Sequence, residues 1–312
     1  MVLRAGLLWL SEQPRVFRFL RSNNLARRLA SRFVAGETID AAVTAVRELN
    51  AAGISATLDV LGESVTNAKE ARAACGAYLQ ALDRLAEARA DSNVSLKLTQ
   101  MGLDVDEASC LANVRAVVAR AKSLGSFARI DMEGSAYTDR TLRIFKDTLH
   151  PEFGDAVGVV LQSYLRRTEQ DLHQLLPLGA RIRLCKGAYK EAADVASPDK
   201  RDVDANYVAC MERLLERGNR PAIATHDAKI IAHAREFARR QGIAPARYEF
   251  QMLYGVRRDL QVALRRQGHQ VRVYVPFGDQ WYPYLMRRLA ERPANIGFLF
   301  GSVVKESLQG KA

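Results

Sequence analysis

The segment Ile54-Ser55-Ala56-Thr57-Leu58-Asp59-Val60-Leu61 is a short run of apolar and β-branched residues that is followed by polar residues and a loop. Such runs, bounded by turn residues, are typical of buried strands. Seven further runs of this kind occur along the chain. They span residues 94–99, 127–132, 157–164, 181–185, 222–225, 248–253 and 271–275. The sequence therefore predicts eight strands.

Helical segments separate the predicted strands. Residues 68–89 and 203–216, for example, carry apolar residues at helical spacing and are rich in strong helix formers. Strands that alternate with helices predict a parallel sheet of the α/β class, and eight such units match a (β/α)8 TIM barrel. A doubly wound sheet is the alternative, but its dinucleotide fingerprint is absent, because no two glycines are separated by a single residue.

The composition is that of a globular protein with a sizeable core. The chain has 312 residues, of which 48% are hydrophobic and 26% are charged. With 46 lysines and arginines against 35 acidic residues, the formal net charge is +11. This excess suits an anionic ligand, an anionic membrane surface or nucleic acid. The charge is spread widely and no recognition motif accompanies it, which argues against nucleic acid.

Cysteine and histidine spacings bear on two classes of site. The four cysteines, Cys75, Cys110, Cys185 and Cys210, are far apart and form no C-x-x-C pair, which predicts reduced thiols in a cytosolic protein. The five histidines show no H-x-x-x-H or other metal-ligand spacing, so no metal site is predicted. No apolar run approaches the roughly 18 residues that a membrane span needs.

The N-terminus is rich in arginine. Residues 1–32 hold seven arginines and a single acidic residue, Glu12, and their apolar positions predict short amphipathic helices. We expect a structural helical arm over residues 1–45, a barrel over residues 46–305 and a C-terminal tail over residues 306–312. A mitochondrial transit peptide has a similar composition, and helices that contact a membrane surface are a further alternative.

Polar residues follow nearly every predicted strand. They are Asp59, Glu63, Lys97, Asp131, Glu133, Gln162, Tyr164, Arg183, Lys186, Tyr189, Thr225, His226, Asp227, Glu249, Gln251, Tyr254 and Tyr274. The carboxyl ends of barrel strands meet at one face, where functional residues cluster. Polar groups are costly to bury unpaired, so we expect this mouth to bind a polar ligand. The cations among them indicate an anionic one.

Residues 284–291 predict a binding face on a helix near the C-terminus. Tyr284, Arg287, Arg288 and Glu291 lie three or four residues apart in this segment and can converge on one helix face. Paired arginines match the geometry of a carboxylate, which they can bind in a bidentate manner. The alternative is an ordinary solvated face of arginine and glutamate.

The strand-end motifs, taken in order, resemble the proline dehydrogenase family. The matching segments are 59–63 (DVLGE), 95–98 (SLKL), 129–133 (RIDME), 183–189 (RLCKGAY), 224–227 (ATHD), 249–255 (EFQMLYG), 273–278 (VYVPFG) and, over 284–291, the pattern Y-x-x-R-R-x-x-E. The match runs from about residue 40 to residue 305. Each segment alone is weak, but the ordered set is highly specific.

The resemblance implies a flavoenzyme on a distorted (β/α)8 barrel whose final helix lies over the barrel mouth. It implies non-covalent FAD, oxidation of L-proline to Δ1-pyrroline-5-carboxylate by hydride transfer to the flavin, and transfer of the electrons to a membrane quinone. This reaction is the first step of proline catabolism to glutamate. The length fits the one-function bacterial form, which we expect in the cytoplasm, with peripheral contact at the inner face of the membrane and with an oligomer allowed.

The resemblance also assigns a substrate site. Its catalytic residues are Lys97, Asp131, Tyr274, Tyr284, Arg287 and Arg288, and its substrate-binding residues are Lys97, Leu253, Tyr274, Tyr284, Arg287 and Arg288. The lysine and the arginines would hold the proline carboxylate, and the tyrosines, with Tyr189, would wall the ring. We expect Asp131 to bond Lys97 or Tyr274 rather than to act as a base. Tyr284 would crowd an added hydroxyl, which favours proline over hydroxyproline.

The cofactor-binding residues implied by the resemblance are Asp131, Gln162, Arg183, Lys186, Gly187, Ala188, Tyr189, Thr225, His226 and Glu291. Arg183 would lie near the reactive flavin nitrogen, where a cation favours the reduced, anionic ring. Glu63 would pair with Arg287 and close a gate. The loop 193–202 is the candidate contact for the adenosine end of FAD, and Cys185 is assigned no role.

Two other functions are alternatives for this sequence. A Schiff-base aldolase on the same barrel would use Lys97 or Lys186 as its nucleophile. A basic scaffold or nucleic-acid binder would use the net positive charge instead.

Overall fold

Eight parallel strands form a closed barrel at the centre of the protein. The structure, a computed structural model, describes residues 30–291, apart from the side chains of Arg287, Leu289, Ala290 and Glu291. The strands are β1 (Ser55–Val60), β2 (Ser92–Leu96), β3 (Ala128–Ile130), β4 (Val157–Gln162), β5 (Arg181–Cys185), β6 (Ala222–Ala224), β7 (Glu249–Leu253) and β8 (Gln270–Phe277). Each strand pairs with the next in chain order, and β8 closes the barrel on β1.

Helices connect the strands around the outside of the barrel. They are α1 (Ile39–Ala51), α2 (Ala68–Glu87), α3 (Glu107–Ser123), α4 (Ser135–Ile144), α5 (His150–Phe153), α6 (Thr168–Leu175), α7 (Lys200–Arg217), α8 (Ala228–Arg240), α9 (Arg258–Arg266) and α10 (Trp281–Glu291). A π-helical turn, Phe145–Leu149, joins α4 to α5. The outward-facing strand residues are apolar, so the main core lies between the sheet and these helices.

The predicted (β/α)8 barrel and its eight strands are confirmed, and the doubly wound alternative is wrong because the sheet is closed. β3 is shorter than predicted, although the next residue, Asp131, still donates a backbone hydrogen bond to the carbonyl of Leu96 on β2 at 2.8 Å. β8 is longer than predicted, because its pairing with β1 continues as far as Phe277 opposite Val60.

Two predicted limits fall inside helices. Helix α1 runs across the predicted boundary between residues 45 and 46. The predicted loop 193–202 ends at Asp199, whose side chain accepts a hydrogen bond from Arg201 N at 2.8 Å and caps α7. Residues 1–29 of the predicted arm and the predicted tail 306–312 lie outside the described residues, so the domain limits stay predictions.

The barrel interior is polar. Every second residue of a barrel strand faces inwards, and branched aliphatic residues usually fill this space. Here Arg183 on β5 contacts Ser95 on β2, and Arg272 on β8 contacts Asn93 on β2, so these side chains cross the interior between strands that are not neighbours. Arg129 on β3 is also buried.

Phe127 and three guanidinium groups occupy the N-terminal end of this interior. The ring centroid of Phe127 lies 4.2 Å from Cζ of Arg181, 5.3 Å from Cζ of Arg129 and 5.6 Å from Cζ of Arg272. Cation–π contacts of this kind stabilise arginines in an apolar setting. Structural contacts thus fill the N-terminal end, and the ligand site belongs at the C-terminal end.

Helix α10 begins at the C-terminal rim of the barrel. Trp281, Tyr284 and Leu285 pack with Leu61, which directly follows β1, and with a short N-terminal segment that contains Phe33. That segment is held against the rim by the bond of residue 35 to the carbonyl of residue 276, at 2.9 Å. The described part of α10 therefore places Tyr284 beside the mouth.

Candidate active site

Asp131 is the centre of the polar cluster at the mouth. Its Oδ2 accepts a hydrogen bond from the Tyr274 hydroxyl at 2.7 Å, and its Oδ1 accepts bonds from Arg183 Nη1 at 2.7 Å and Ser95 Oγ at 2.6 Å. Burial alone would raise the pKa of Asp131, but the charges of Arg183 and Lys97 outweigh burial and leave that pKa below its ordinary value. The predicted bond between Asp131 and Tyr274 is present, and the Asp131 side chain is a carboxylate held by hydrogen bonds.

Lys97 lies on the other side of this carboxylate. Its Nζ is 3.3 Å from Asp59 Oδ1 and 3.9 Å from Asp131 Oδ2, and its side chain is only 12% exposed. Burial by itself lowers the pKa of Lys97, but the charges of Asp59 and Asp131 more than offset burial and raise that pKa well above its ordinary value. Lys97 is therefore a fixed cation at neutral pH.

A second layer of side chains supports Lys97. Tyr78 on α2 donates to Gln100 Oε1 at 3.1 Å and lies 3.4 Å from Asp59 Oδ1. Gln100 in turn donates to the carbonyl of Val60 at 2.8 Å. All of these side chains are buried, so they hold Asp59 and the end of β1 in place.

Arg183 uses two edges of its guanidinium group inside the protein. Its Nε donates to Gln251 Oε1 at 2.6 Å, and its Nη1 donates to Asp131. Its Cζ lies 5.1 Å from the centroid of the Tyr274 ring. Within residues 30–291, the third edge, Nη2, is buried and has no hydrogen-bond partner.

Gln162, at the end of β4, has the matching acceptor. Its Nε2 donates to the carbonyl of Met132 at 3.2 Å, directly beside Asp131. Its Oε1 is buried and has no partner in the part of the chain that the structure describes. Buried polar atoms are nearly always hydrogen-bonded, so a donor on Arg183 and an acceptor on Gln162 that lack partners indicate a polar ligand.

The ends of β6 and β7 bring two predicted site residues together. Nε2 of His226 accepts a hydrogen bond from Leu253 N at 2.9 Å, which orients the imidazole ring against the end of β7. Thr225 is buried, and its hydroxyl accepts a bond from Asp227 N at 3.1 Å. Asp227 also caps α8, so the turn 225–227 is fixed from both sides.

The segment after β5 lies against the end of β4. Gly187 has φ +102°, and a Cβ atom there would lie 2.2 Å from the Tyr164 ring, so only glycine fits. Lys186 Nζ lies 2.5 Å from Asp204 Oδ1 and 3.3 Å from Asp227 Oδ2. The neighbouring Ala188 is exposed and Tyr189 is half-buried.

Helix α10 supplies the remaining predicted residues. Tyr284 is buried, and the Cζ atom of Arg288 lies 5.0 Å from its ring centroid, so these two side chains share a face of the helix as predicted. The side chains of Arg287 and Glu291 lie outside the described part of the structure, and the predicted pair of Glu63 with Arg287 stays a prediction. Glu63 is half-buried and lies near Lys97. Burial lowers the pKa of Lys97, the charges of Asp59 and Asp131 raise it, and the charge of Glu63 raises it further.

Sequence reasoning missed several supporting residues. Arg272 has a recognisable signal, because it alternates with valines in the segment 271–275 and so shares the inward face with Tyr274. Tyr78 and Gln100 have none, because a tyrosine on the apolar face of a helix is an ordinary core residue. Asp204, the partner of Lys186, lies near the N-terminus of α7, which sequence spacing does not connect to the mouth.

The described residues include no helix that combines the length and the hydrophobicity needed to cross a membrane.

The four cysteines are free thiols. Burial raises the pKa of the Cys185 thiol to about 11, so it is not a thiolate at neutral pH.

Comparisons with known proteins agree with the fold. The model of the proline dehydrogenase family matches residues 42–300. Proline dehydrogenase 1 of Bacillus subtilis (strain 168) is 40% identical over 305 residues, which cover 98% of this chain and 100% of that protein. Proline dehydrogenase of Deinococcus radiodurans is 42% identical over 310 residues, which cover 97% of this chain and 98% of that protein.

A solved structure shares the architecture. Proline utilization A (PutA) from Bdellovibrio bacteriovorus superposes with a TM-score of 0.81 at 28% sequence identity over 90% of this chain, and the matched part is 34% of that longer protein. The family match spans most of the chain and includes every strand of the barrel and the cluster around Asp131. The chain belongs to the proline dehydrogenase family.

Proposed function

We propose that this protein oxidises L-proline to Δ1-pyrroline-5-carboxylate with non-covalently bound FAD as the hydride acceptor. The observation that carries the proposal is a pair of buried atoms, Arg183 Nη2 and Gln162 Oε1, that lack partners among the described residues. The same two side chains bond Asp131 and the carbonyl of the residue after it. The edge of a flavin ring presents both hydrogen-bond acceptors and an N–H donor, so it can satisfy both atoms. The family match supports proline as the substrate.

The cations of the mouth would bind the proline carboxylate. Proline is a zwitterion, and its carboxylate requires fixed positive charge in a site that excludes water. Lys97 is held charged by Asp59 and Asp131. Arg288, with Arg287 beside it in the sequence, would complete the binding site from α10. Fixing the substrate in this way can contribute about 7–11 kcal/mol to catalysis through orientation.

Tyrosine side chains would form the walls around the proline ring. Burial, and next the charges of Asp131 and Asp59, raise the pKa of Tyr274 well above its ordinary value, so this hydroxyl stays protonated and donates to Asp131. Tyr274 is thus suited to orient the substrate rather than to remove a proton. Tyr284, Tyr189 and Leu253 would complete the walls, and Tyr284 would crowd the added hydroxyl of hydroxyproline.

Other rim residues would hold the cofactor. Bound FAD supplies the hydride acceptor, a role that no amino-acid side chain can perform. The residues proposed to contact it are Asp131, Gln162, Arg183, Lys186, Gly187, Ala188, Tyr189, Thr225, His226 and Glu291. The close approach of Gly187 to Tyr164 and the bond that orients His226 hold two parts of this rim in place before any ligand binds. Such preorganisation favours binding.

A membrane quinone is the proposed electron acceptor, and a cytoplasmic enzyme with peripheral contact at the inner face of the membrane would reach it. The net charge of +11 suits an anionic surface. Reduction of a water-soluble quinone analogue by proline tests the first part. Co-sedimentation with anionic lipid vesicles, compared with neutral vesicles, tests the second.

A Schiff-base aldolase fits the mouth less well. Its nucleophile must be a neutral amine, whereas the pKa of Lys97 is raised above its ordinary value, chiefly because two aspartates outweigh the effect of burial. Lys186 is paired with Asp204 and Asp227. A basic scaffold would not need buried, partnerless polar atoms at the rim.

The absorption spectrum of the purified protein separates these functions. We expect flavin bands, and we expect acid precipitation to release the flavin into the supernatant, since no covalent bond is proposed. A colourless protein that forms a borohydride-trapped adduct would favour the aldolase. Salt-sensitive retention on DNA without any flavin would favour the scaffold.

A further inference from the structure

A chain of four hydrogen-bonded side chains crosses the barrel interior beneath the mouth. Arg272 Nε donates to both oxygens of Glu249 at 3.0 Å, and Gln251 Nε2 donates to Glu249 Oε1 at 2.5 Å. Gln251 Oε1 then accepts the bond from Arg183 Nε at 2.6 Å. Glu249 and Gln251 are two residues apart on β7 and so face the same side of the sheet.

These hydrogen bonds allow only one orientation of the Gln251 amide. Arg183 has no acceptor atom, so the carbonyl oxygen of Gln251 must face it. The carboxylate of Glu249 has no donor, so the amide nitrogen must face Glu249. Burial alone would raise the pKa of Glu249, but the charges of Arg272 and Arg129 outweigh burial and lower it, which keeps Glu249 an acceptor.

The same hydrogen bonds, together with the bond to Asp131, fix the plane of the Arg183 guanidinium group. Its donors lie in one rigid plane, and Gln251 holds the Nε edge while Asp131 holds the Nη1 edge. With two edges fixed, the direction of the third nitrogen, Nη2, is determined. Nη2 is the buried donor that has no partner within residues 30–291.

We propose that Gln251, held by the Glu249–Arg272 pair, is a positioning residue that aims Nη2 of Arg183 at the flavin and thereby sets the flavin reduction potential. This inference rests on the proposed function. A directed, charge-assisted hydrogen bond from a fixed cation favours the negative charge that the flavin ring gains on reduction. Because Glu249 and Arg272 neutralise each other, these side chains affect the flavin through the orientation of Arg183 rather than through their net charge.

The test is the flavin midpoint potential of the holoenzyme, measured anaerobically by equilibration with a redox dye. Gln251→Met preserves side-chain length and removes both hydrogen bonds. We expect it to lower the ratio of reduced to oxidised flavin at a given potential by at least tenfold, which is about 30 mV for a two-electron couple. Flavin content should stay at the wild-type level.

Gln261→Met is the matched control. Gln261 is as buried as Gln251, but it lies on α9, and within residues 30–291 its side chain donates to the carbonyls of Leu253 and Val256 alone. We expect this variant to lose thermal stability without any change in potential. A similar shift in both variants would mean that the potential responds to general loosening of the protein, and it would overturn the proposal.

A double-mutant cycle shows whether Gln251 acts through Arg183. In an Arg183→Met background, Gln251→Met should produce no further shift, because there is no guanidinium group left to position. Arg183→Lys serves the same purpose if the methionine variant does not fold, since lysine lacks the planar group. Additive shifts in these backgrounds, or a wild-type potential in Gln251→Met, overturn the positioning role.

The outcomes also separate this inference from the proposed function. A purified protein that binds no FAD overturns both. A protein that binds FAD and is reduced by proline, but whose potential is the same in Gln251→Met and wild type, overturns only the role of Gln251.

Discussion

The hydroxyl of Tyr274 lies 2.7 Å from Oδ2 of Asp131 and joins β8 to β3 across the mouth of the barrel. The other oxygen of this carboxylate accepts a bond from Arg183 on β5. A single buried anion therefore fixes a proposed wall of the substrate site and a proposed flavin contact relative to each other. Because both of its oxygens already accept hydrogen bonds, we expect Asp131 to orient neighbouring groups rather than to abstract a proton.

The charge of Asp131 should make protein stability depend on pH. The pKa of this group is low in the folded protein because Arg183 and Lys97 outweigh the effect of burial. In the unfolded chain it returns to about 3.9, so the unfolded state binds the proton more readily. Its stabilising contribution is complete above about pH 5 and is lost as the pH falls through the lowered pKa.

Urea unfolding of the wild type and of Asp131→Asn, at pH 6 and at pH 3, measures this contribution. We expect the difference in unfolding free energy between the two proteins to be smaller at pH 3, because the amide does not titrate. Asp83→Asn is the control, since Asp83 pairs with Arg120 at the surface and should add little at either pH. A difference for Asp131→Asn that is constant or grows in acid contradicts the prediction.

Arg287→Met and Arg288→Met should each weaken proline binding while FAD stays bound. Loss of one charge-assisted contact in a site that excludes water costs about 1.5–3 kcal/mol, which is about ten- to a hundredfold in affinity. Titration of flavin reduction with proline measures the effect. Arg239→Met is the matched control, because Arg239 pairs with Glu236 on the exposed face of α8. Unchanged proline affinity in both test variants would mean that the arginine pair is only a surface face.

Glu63→Ala should impair closure of the site more than it impairs cofactor binding. We expect weaker apparent proline affinity and slower flavin reduction with a normal flavin spectrum, because closure excludes water and completes the site. Glu63→Asp should restore part of the loss.

A double-mutant cycle of Glu63→Ala with Arg287→Met measures the coupling directly. If the pair forms, the two effects on proline affinity will not add. Effects that add within about 0.3–0.5 kcal/mol rule out the gate. An exposed pair would itself contribute only about 0–1 kcal/mol, so small single effects also argue against a gate.

Gly187→Ala should reduce the FAD content of the purified protein. The new Cβ atom would overlap the Tyr164 ring, and φ +102° is unfavourable for alanine, so the segment after β5 must move. Gly125→Ala is the control, because φ is positive there too but no atom lies within 4 Å of the added Cβ. Replacing Tyr164 with alanine in the Gly187→Ala protein should recover part of the flavin content. Equal flavin content in Gly187→Ala and Gly125→Ala would contradict the role of this contact.

The alternation of apolar runs with helical segments predicted the barrel correctly because each strand is buried on its outer face against helices. The same pattern could not reveal that Arg129, Arg272 and Glu249 fill the interior. Arg129 and Arg272 contact residues 52 and 179 positions away in sequence, and a charged residue inside a short strand can equally mark a strand end.

Strand-end polarity located the mouth, and the motif order supplied the residues expected in it. Spacing could not predict which of them bond one another. The choice between Lys97 and Tyr274 as partners of Asp131 is resolved only in three dimensions, where the hydroxyl lies at 2.7 Å and the lysine at 3.9 Å. The second layer, Tyr78 and Gln100, depends on packing of α2 against β1 and β2, which has no local signature in the chain.

Anaerobic titration of the purified protein with L-proline, followed by flavin absorbance, is the most direct test of whether bound FAD oxidises proline. We expect proline to bleach the oxidised flavin band completely, and one equivalent of Δ1-pyrroline-5-carboxylate to form for each flavin reduced. A flavin that stays oxidised in excess proline, in a protein that is folded and carries FAD, would contradict it.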